Sequence, residues 1–158
     1  MALLLNLGAG WQDTLQGYDN IDLREISGCT RMDVRDLDLR YKPESVDEIR
    51  AIDIYEHIPF GESQGMLTMW VSLLKVGGRL IIQSPSIEAI CRRVLTSTNI
   101  KDIEDSIKYI YGNQDYPENF HHTAVHPELM IHYLRNAGVK GSITFKTQAT
   151  NLTITAIK

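Results

Sequence analysis

Leu3-Leu4-Leu5-Asn6-Leu7 is an apolar run of strand length that stops at Gly8-Ala9-Gly10. A strand apolar on both faces belongs in a sheet covered on both sides, and glycines at its carboxyl end let the chain turn sharply. The rest of the chain agrees with that demand. Residues 20–23, 31–34 and 45–52 read as three further short strands, and residues 79–84 as a fifth stopped by Pro85. After the fourth, Ile54, Ile58, Met66, Leu67, Trp70, Val71 and Leu74 recur at helical spacing, with Lys75 and Gly77-Gly78 marking the end. Residues 87–95 predict a helix. Residues 127–137 predict another, with Pro127 in its first turn and Gly138 as its stop. Residues 142–146 and 152–157 alternate as strands do and predict a closing antiparallel hairpin at the sheet edge. Strands alternating with helices imply an α/β fold: a mostly parallel twisted sheet with helices on both faces. Residues 99–119 are polar and aromatic and carry no assignment.

Composition narrows the partners. The 158 residues fit one domain, 1–158, and 43% hydrophobic residues against 23% charged support a buried core. A net charge of −4 supplies no basic footprint for nucleic acid, which is therefore not an expected partner. Cys29 and Cys91 make neither a zinc signature nor a disulfide framework. Met1-Ala2-Leu3-Leu4-Leu5 is too short for a signal peptide and no apolar run approaches a membrane span, so a cytoplasmic protein without membrane contact is expected.

The chemistry begins at the first strand's end. Gly8 and Gly10 allow a ligand to lie against the backbone, and Asp22 ends the neighbouring strand, where a carboxylate can accept from both hydroxyls of a ribose. Each feature alone is an ordinary turn, but their order points to an adenosine-containing cofactor. A dinucleotide site needs a third glycine and a helix whose N-terminus meets the pyrophosphate. Asp13 stands at the third-glycine position, and residues 11–18, with Gly17, are too short for that helix. S-adenosylmethionine has no phosphate and fits better than a nicotinamide or nucleotide-sugar cofactor.

Several blocks together resemble a known family. Leu5-Asn6-Leu7-Gly8-Ala9-Gly10, Asn20-Ile21-Asp22-Leu23 and Asp33-Val34-Arg35-Asp36-Leu37 are similar to the first cofactor motifs of the class I S-adenosylmethionine-dependent methyltransferases. Ser45-Val46-Asp47-Glu48-Ile49 running into Tyr55-Glu56-His57-Ile58-Pro59, and Leu73-Leu74-Lys75-Val76-Gly77-Gly78-Arg79, resemble the motifs that follow. The resemblance implies a Rossmann-like methyltransferase fold with S-adenosylmethionine converted to S-adenosylhomocysteine. It implies that Gly8, Ala9 and Gly10 line the methionine end, and that Asp22, beside Leu23, binds the ribose. Asp33 would reach the adenine amino group and the Val34 backbone the ring, while Ile52 and Asp53 would sit near the methyl. Family members often carry an acid where Asn6 stands and usually proline where Val76 stands. No helix precedes the first strand, which leaves one pocket wall open or supplied by a second subunit of a homo-oligomer.

Five histidines remain: His57, His121, His122, His126 and His132. His57 either anchors the loop after the fourth strand or touches the cofactor. His121, His122 and His126 cluster in sequence, but His126-Pro127-Glu128 reads as a helix start, so no metal centre is expected from them. His121 and His122 either line an acceptor pocket or bond to nearby backbone. Asp53 and His121 are the candidate catalytic residues, because an amine or hydroxyl acceptor must lose a proton. The expectation is methyl transfer to a small-molecule, sugar or peptide acceptor. The alternative is a non-catalytic S-adenosylmethionine-binding module, or a subunit of a larger enzyme.

Overall fold

The computed structural model describes all residues from 1 to 158. In chain order the elements are β1 (Leu4–Leu7), β2 (Asp19–Asp22), β3 (Thr30–Arg31), β4 (Val46–Ile52), α1 (Phe60–Leu73), β5 (Leu74–Pro85), α2 (Ile87–Thr96), α3 (Ile100–Tyr111), α4 (Pro127–Asn136), β6 (Ile143–Gln148) and β7 (Asn151–Ile157). They build one seven-stranded sheet in the order β3-β2-β1-β4-β5-β7-β6. The first five strands pair in parallel, and β7 runs antiparallel to both β5 and β6. This is the α/β architecture expected, with the closing hairpin forming the edge. The chain moves outward from β1 through β2 to β3, then returns to the other side of β1 as β4. That reversal opens a crevice at the carboxyl ends of β1 and β4.

Burial explains the order. Leu5, Leu7, Ile21, Ile49, Ala51, Leu80 and Ile82 are buried along the parallel strands. On β7 only alternate residues, Leu152, Ile154 and Ala156, are buried, the pattern of a strand with one face toward the core. Trp70 of α1 is fully buried and its Nε1 donates to the Val34 carbonyl at 3.0 Å, so the core tethers a loop of the crevice. No helix is long and apolar enough to cross a membrane.

Four local expectations change. Ile54 and Ile58 flank a short 3₁₀ turn (Tyr55–His57), and α1 starts only after Pro59, whose fixed φ suits a helix start. Gly77-Gly78 does not end the helix. It lies inside β5, where the register slips from Val46 opposite Leu74 to Glu48 opposite Arg79. The third strand shrinks to two residues, and Asp33 and Val34 fall in the loop beyond it. Residues 100–111 are helical as α3, capped by the Asn99 side chain accepting from Lys101 N–H at 2.9 Å.

No helix joins β1 to β2. A pair of buried amides holds that link instead. Asn6 Nδ2 donates to the Asp13 carbonyl (2.7 Å) and to Asn20 Oδ1 (2.9 Å), while Asn20 bonds Leu15 through both N–H and carbonyl. A carboxylate at position 6 has no hydrogens to donate, so the Asn6 amide serves the short link.

Candidate functional site

Gly8 follows β1 with φ +65°, and a Cβ there would meet Ile54 Cδ1 at 2.9 Å. The bare backbone therefore forms the floor of a cavity of about 410 Å³ at the switch point. Around it stand Asp13 from the β1–β2 link, Asp22 and Leu23 at the end of β2, Asp33 and Val34 after β3, and Ile52, Asp53 and His57 after β4. Of the eleven residues singled out from the sequence, these carboxyl-end loops bring eight together: Gly8, Asp22, Leu23, Asp33, Val34, Ile52, Asp53 and His57. Ala9 is buried beneath the floor, Gly10 spends its N–H on Asp22, and His121 lines the neighbouring cavity.

The two acids of the cleft share one device. Asp22 accepts from the N–H of Arg24 two residues on and from its guanidinium, and Asp33 does the same with Arg35. Asp22 also accepts from Gly10 N–H at 2.9 Å. These bonds outweigh the burial that opposes ionisation at Asp22 and hold its carboxyl below the usual carboxylate range; the Arg35 guanidinium does so for Asp33. The Arg24 guanidinium lies over the Trp11 ring at 4.4 Å and the Tyr116 ring at 5.6 Å, bridging the β1–β2 link to the loop after α3. Val34 N–H donates to no backbone acceptor, while its carbonyl is held by Trp70.

Asp53 adopts φ +51°, a left-handed conformation that a non-glycine residue rarely holds without support. Its N–H donates to the Gln83 carbonyl of β5 (2.9 Å), which fixes it at the mouth of the cleft. The carboxylate is open to the cavity, yet the protein around it, with repulsion from Asp13, raises its carboxyl above the ordinary range. A second cavity, about 520 Å³, shares Asp53, His57 and Tyr116 with the first and adds Glu56, Tyr109, Asn113 and His121.

Between the cavities the loop 120–123 is fastened to the 3₁₀ turn. His122 and Thr123 donate their N–H groups to the Glu56 carbonyl (2.7 and 3.2 Å), and His57 Nδ1 bonds the Phe120 carbonyl (3.0 Å). His121 donates its N–H to Tyr111 O (3.1 Å), and its Nδ1 bonds Tyr109 O (2.9 Å). Gly112 permits this approach: at φ +79° a Cβ would run into the Asn119 carbonyl. The His57 and His121 rings meet edge to face, centroids 4.9 Å apart. Glu56 is 2% exposed, and burial, with repulsion from Asp53, pushes its carboxyl up to about 8. His126, grouped with these in the sequence, instead precedes α4. The sequence carried a signal for the α3 side of this site in Ile100, Ile103, Ile107 and Ile110, spaced at three and four between Asn99 and Gly112.

The sequence matches no known family profile and no curated protein sequence. Solved structures do match. One is described as a possible exported protein from Bordetella parapertussis, at TM-score 0.66 and 14% identity, covering 99% of this chain and 62% of that one. An O-methyltransferase family protein from Burkholderia thailandensis gives TM-score 0.64 and 13% identity over 99% of this chain and 51% of its own. From the same organism, 1,6-didemethyltoxoflavin-N1-methyltransferase, solved with bound 1,6-didemethyltoxoflavin and S-adenosylhomocysteine, gives TM-score 0.64 and 20% identity over 99% of this chain and 71% of that one. The chain thus spans about half to two thirds of the first two neighbours' length. Together with the strand order, these likenesses establish the fold as Rossmann-like, of the class I methyltransferase type.

Proposed function

We propose that the chain binds S-adenosylmethionine in the Gly8–Asp22–Asp33 cleft and transfers its methyl group to an acceptor held in the cavity beyond Asp53. The convergence of Gly8, Asp22, Asp33, Val34, Ile52 and Asp53 on one cleft at the switch point carries this reading. The residues suit the cofactor group by group. The two acceptor positions on Asp22 now held by the Arg24 guanidinium match two ribose hydroxyls once that side chain swings away. Val34 N–H is a free donor for an adenine nitrogen, and Leu23, nearly half exposed, is an apolar face for the ring. Asp13 in the cleft wall opposes a pyrophosphate and argues against a nicotinamide cofactor.

Bound there, the cofactor supplies an electrophilic methyl. The protein's own part is to position a nucleophile in line with it, keep water out and receive a proton. Asp53, with its raised carboxyl at the junction of the cavities, is placed for the last task. His121 faces the same cavity and orients the acceptor. A non-catalytic binding module is the second reading, favoured by the lack of a helix between β1 and β2, where only a short link stands.

Calorimetric titration with S-adenosylhomocysteine and with NAD, side by side, tests the reading. Saturable binding of the first and none of the second is expected; the reverse overturns it. A panel of hydroxyl and amine acceptors with labelled cofactor then separates the enzyme from the binding module.

A further inference from the structure

We propose that Glu56, His57 and His121 form a site for one divalent transition-metal ion at the wall between the two cavities. One ligand atom from each residue lies within 4.8 Å of the other two. Around a tetrahedral ion with bonds of ~2.1 Å two ligand atoms stand ~3.4 Å apart, so closing on an ion moves each donor by roughly an ångström or less.

Tautomers are set in the right sense. His57 Nδ1 faces the Phe120 carbonyl at 3.0 Å, and His121 Nδ1 faces the Tyr109 carbonyl at 2.9 Å. A carbonyl only accepts, so both rings carry hydrogen on Nδ1 and leave the Nε2 lone pair for a ligand. Metal-binding histidines are oriented by this kind of outer hydrogen bond.

Glu56 supplies the independent observation. Its side chain is 2% exposed, and Oε2 makes no hydrogen bond; the buried Ser84 hydroxyl beside it is likewise unpartnered. Burial disfavours the ionised carboxyl, and a metal ion that displaces its proton supplies the partner and the opposite charge that the buried group lacks. Its own carbonyl accepts from His122 and Thr123, so the backbone bonds that seat Glu56 also deliver the loop bearing His121. The donors are therefore held together before any ion arrives.

Two imidazole nitrogens and one carboxylate oxygen suit zinc, manganese, cobalt or iron(II). Magnesium and calcium prefer all-oxygen sites, and copper(I) prefers sulfur. Three protein ligands leave coordination positions open, and all three residues line the acceptor-side cavity.

The test uses full-length, tag-free protein treated with EDTA and desalted. Titration with Zn²⁺ against a competing indicator is expected to show one tight equivalent, and Co²⁺ a visible absorption spectrum of a nitrogen–oxygen site. His57→Ala, His121→Ala and Glu56→Gln are each expected to weaken Zn²⁺ binding by about 100-fold or more, whereas His126→Ala keeps it. Circular dichroism melts identify any variant that does not fold, and the other two then decide. The proposal is overturned if wild type binds Zn²⁺ no more tightly than the folded His57→Ala or His121→Ala protein. It is also overturned if His126→Ala abolishes binding. S-adenosylhomocysteine titrated into the same EDTA-treated protein reads the cofactor cleft separately, so failure of one leaves the other standing.

Discussion

Arg24 donates to both carboxylate oxygens of Asp22, from Nε at 3.0 Å and Nη2 at 3.3 Å, and so takes the two acceptor positions that Gly10 N–H and its own N–H leave. A carboxylate has about four such positions. The two backbone bonds belong to the fold, while the two side-chain bonds are exchangeable. A ribose with two hydroxyls replaces the guanidinium one for one, provided Arg24 swings out from between Trp11 and Tyr116.

Arg24→Ala therefore raises affinity for S-adenosylhomocysteine. The ion pair is partly exposed, so the gain is about threefold to tenfold. Isothermal calorimetry on wild type and variant measures it. A loss of affinity would mean that the guanidinium binds the ligand rather than competes with it.

Asp22 and Asp33 both have carboxyls held below the ordinary range. The stability they contribute is fully present above about pH 4, the unfolded value, and is lost as pH falls through their lowered folded values. Melting temperatures between neutral and strongly acidic pH are expected to fall less steeply at the acid end in Asp22→Asn and Asp33→Asn. Identical slopes in wild type and variants would remove both acids from the acid-sensitive set.

Asp53→Asn keeps the left-handed backbone, which asparagine tolerates, and removes only the ability to take a proton. Once an acceptor is in hand, kcat is expected to drop about 10²–10⁴-fold while S-adenosylhomocysteine affinity stays close to wild type. Turnover at the wild-type rate would exclude Asp53 as the base.

Asn6→Asp places a carboxylate at a position 2% exposed and deletes both amide donations, to Asp13 O and Asn20 Oδ1. Urea unfolding should show a loss of at least about 1–3 kcal/mol. Cofactor affinity falls with it, because the loosened 11–18 link carries one wall of the cleft. An aspartate variant as stable as wild type would contradict the role given to the amide pair.

Local patterning made β1, the end of β5, α4 and the closing hairpin legible, because each is bounded by a residue that breaks periodicity: Gly8, Pro85, Pro127, Gly138. The order of Gly8, Asp22 and Asp33 likewise named most of the cleft, since a parallel sheet places consecutive strand ends side by side. Side-chain pairings were not legible, even between residues two apart. Asp22 and Asp33 read as ligand-binding acids, and only the folded loops show that the Arg24 and Arg35 guanidinium groups already hold them. Asn6 read as a missing charge until burial against Asn20 made its hydrogens matter. Gly77-Gly78 read as a helix stop because a register slip depends on β4, not on its own neighbours. The grouping of Glu56 and His57 with His121 lies furthest from sequence. Sixty-three residues separate Phe120 from His57, and the hydrogen bond between them exists only once α3 has packed and Gly112 has turned the chain back. Periodicity and breakers are local properties of a chain, so the sequence determined the elements and the cofactor-side strand ends. Convergence of distant donors depends on how helices and loops dock, and that was decided by the tertiary structure.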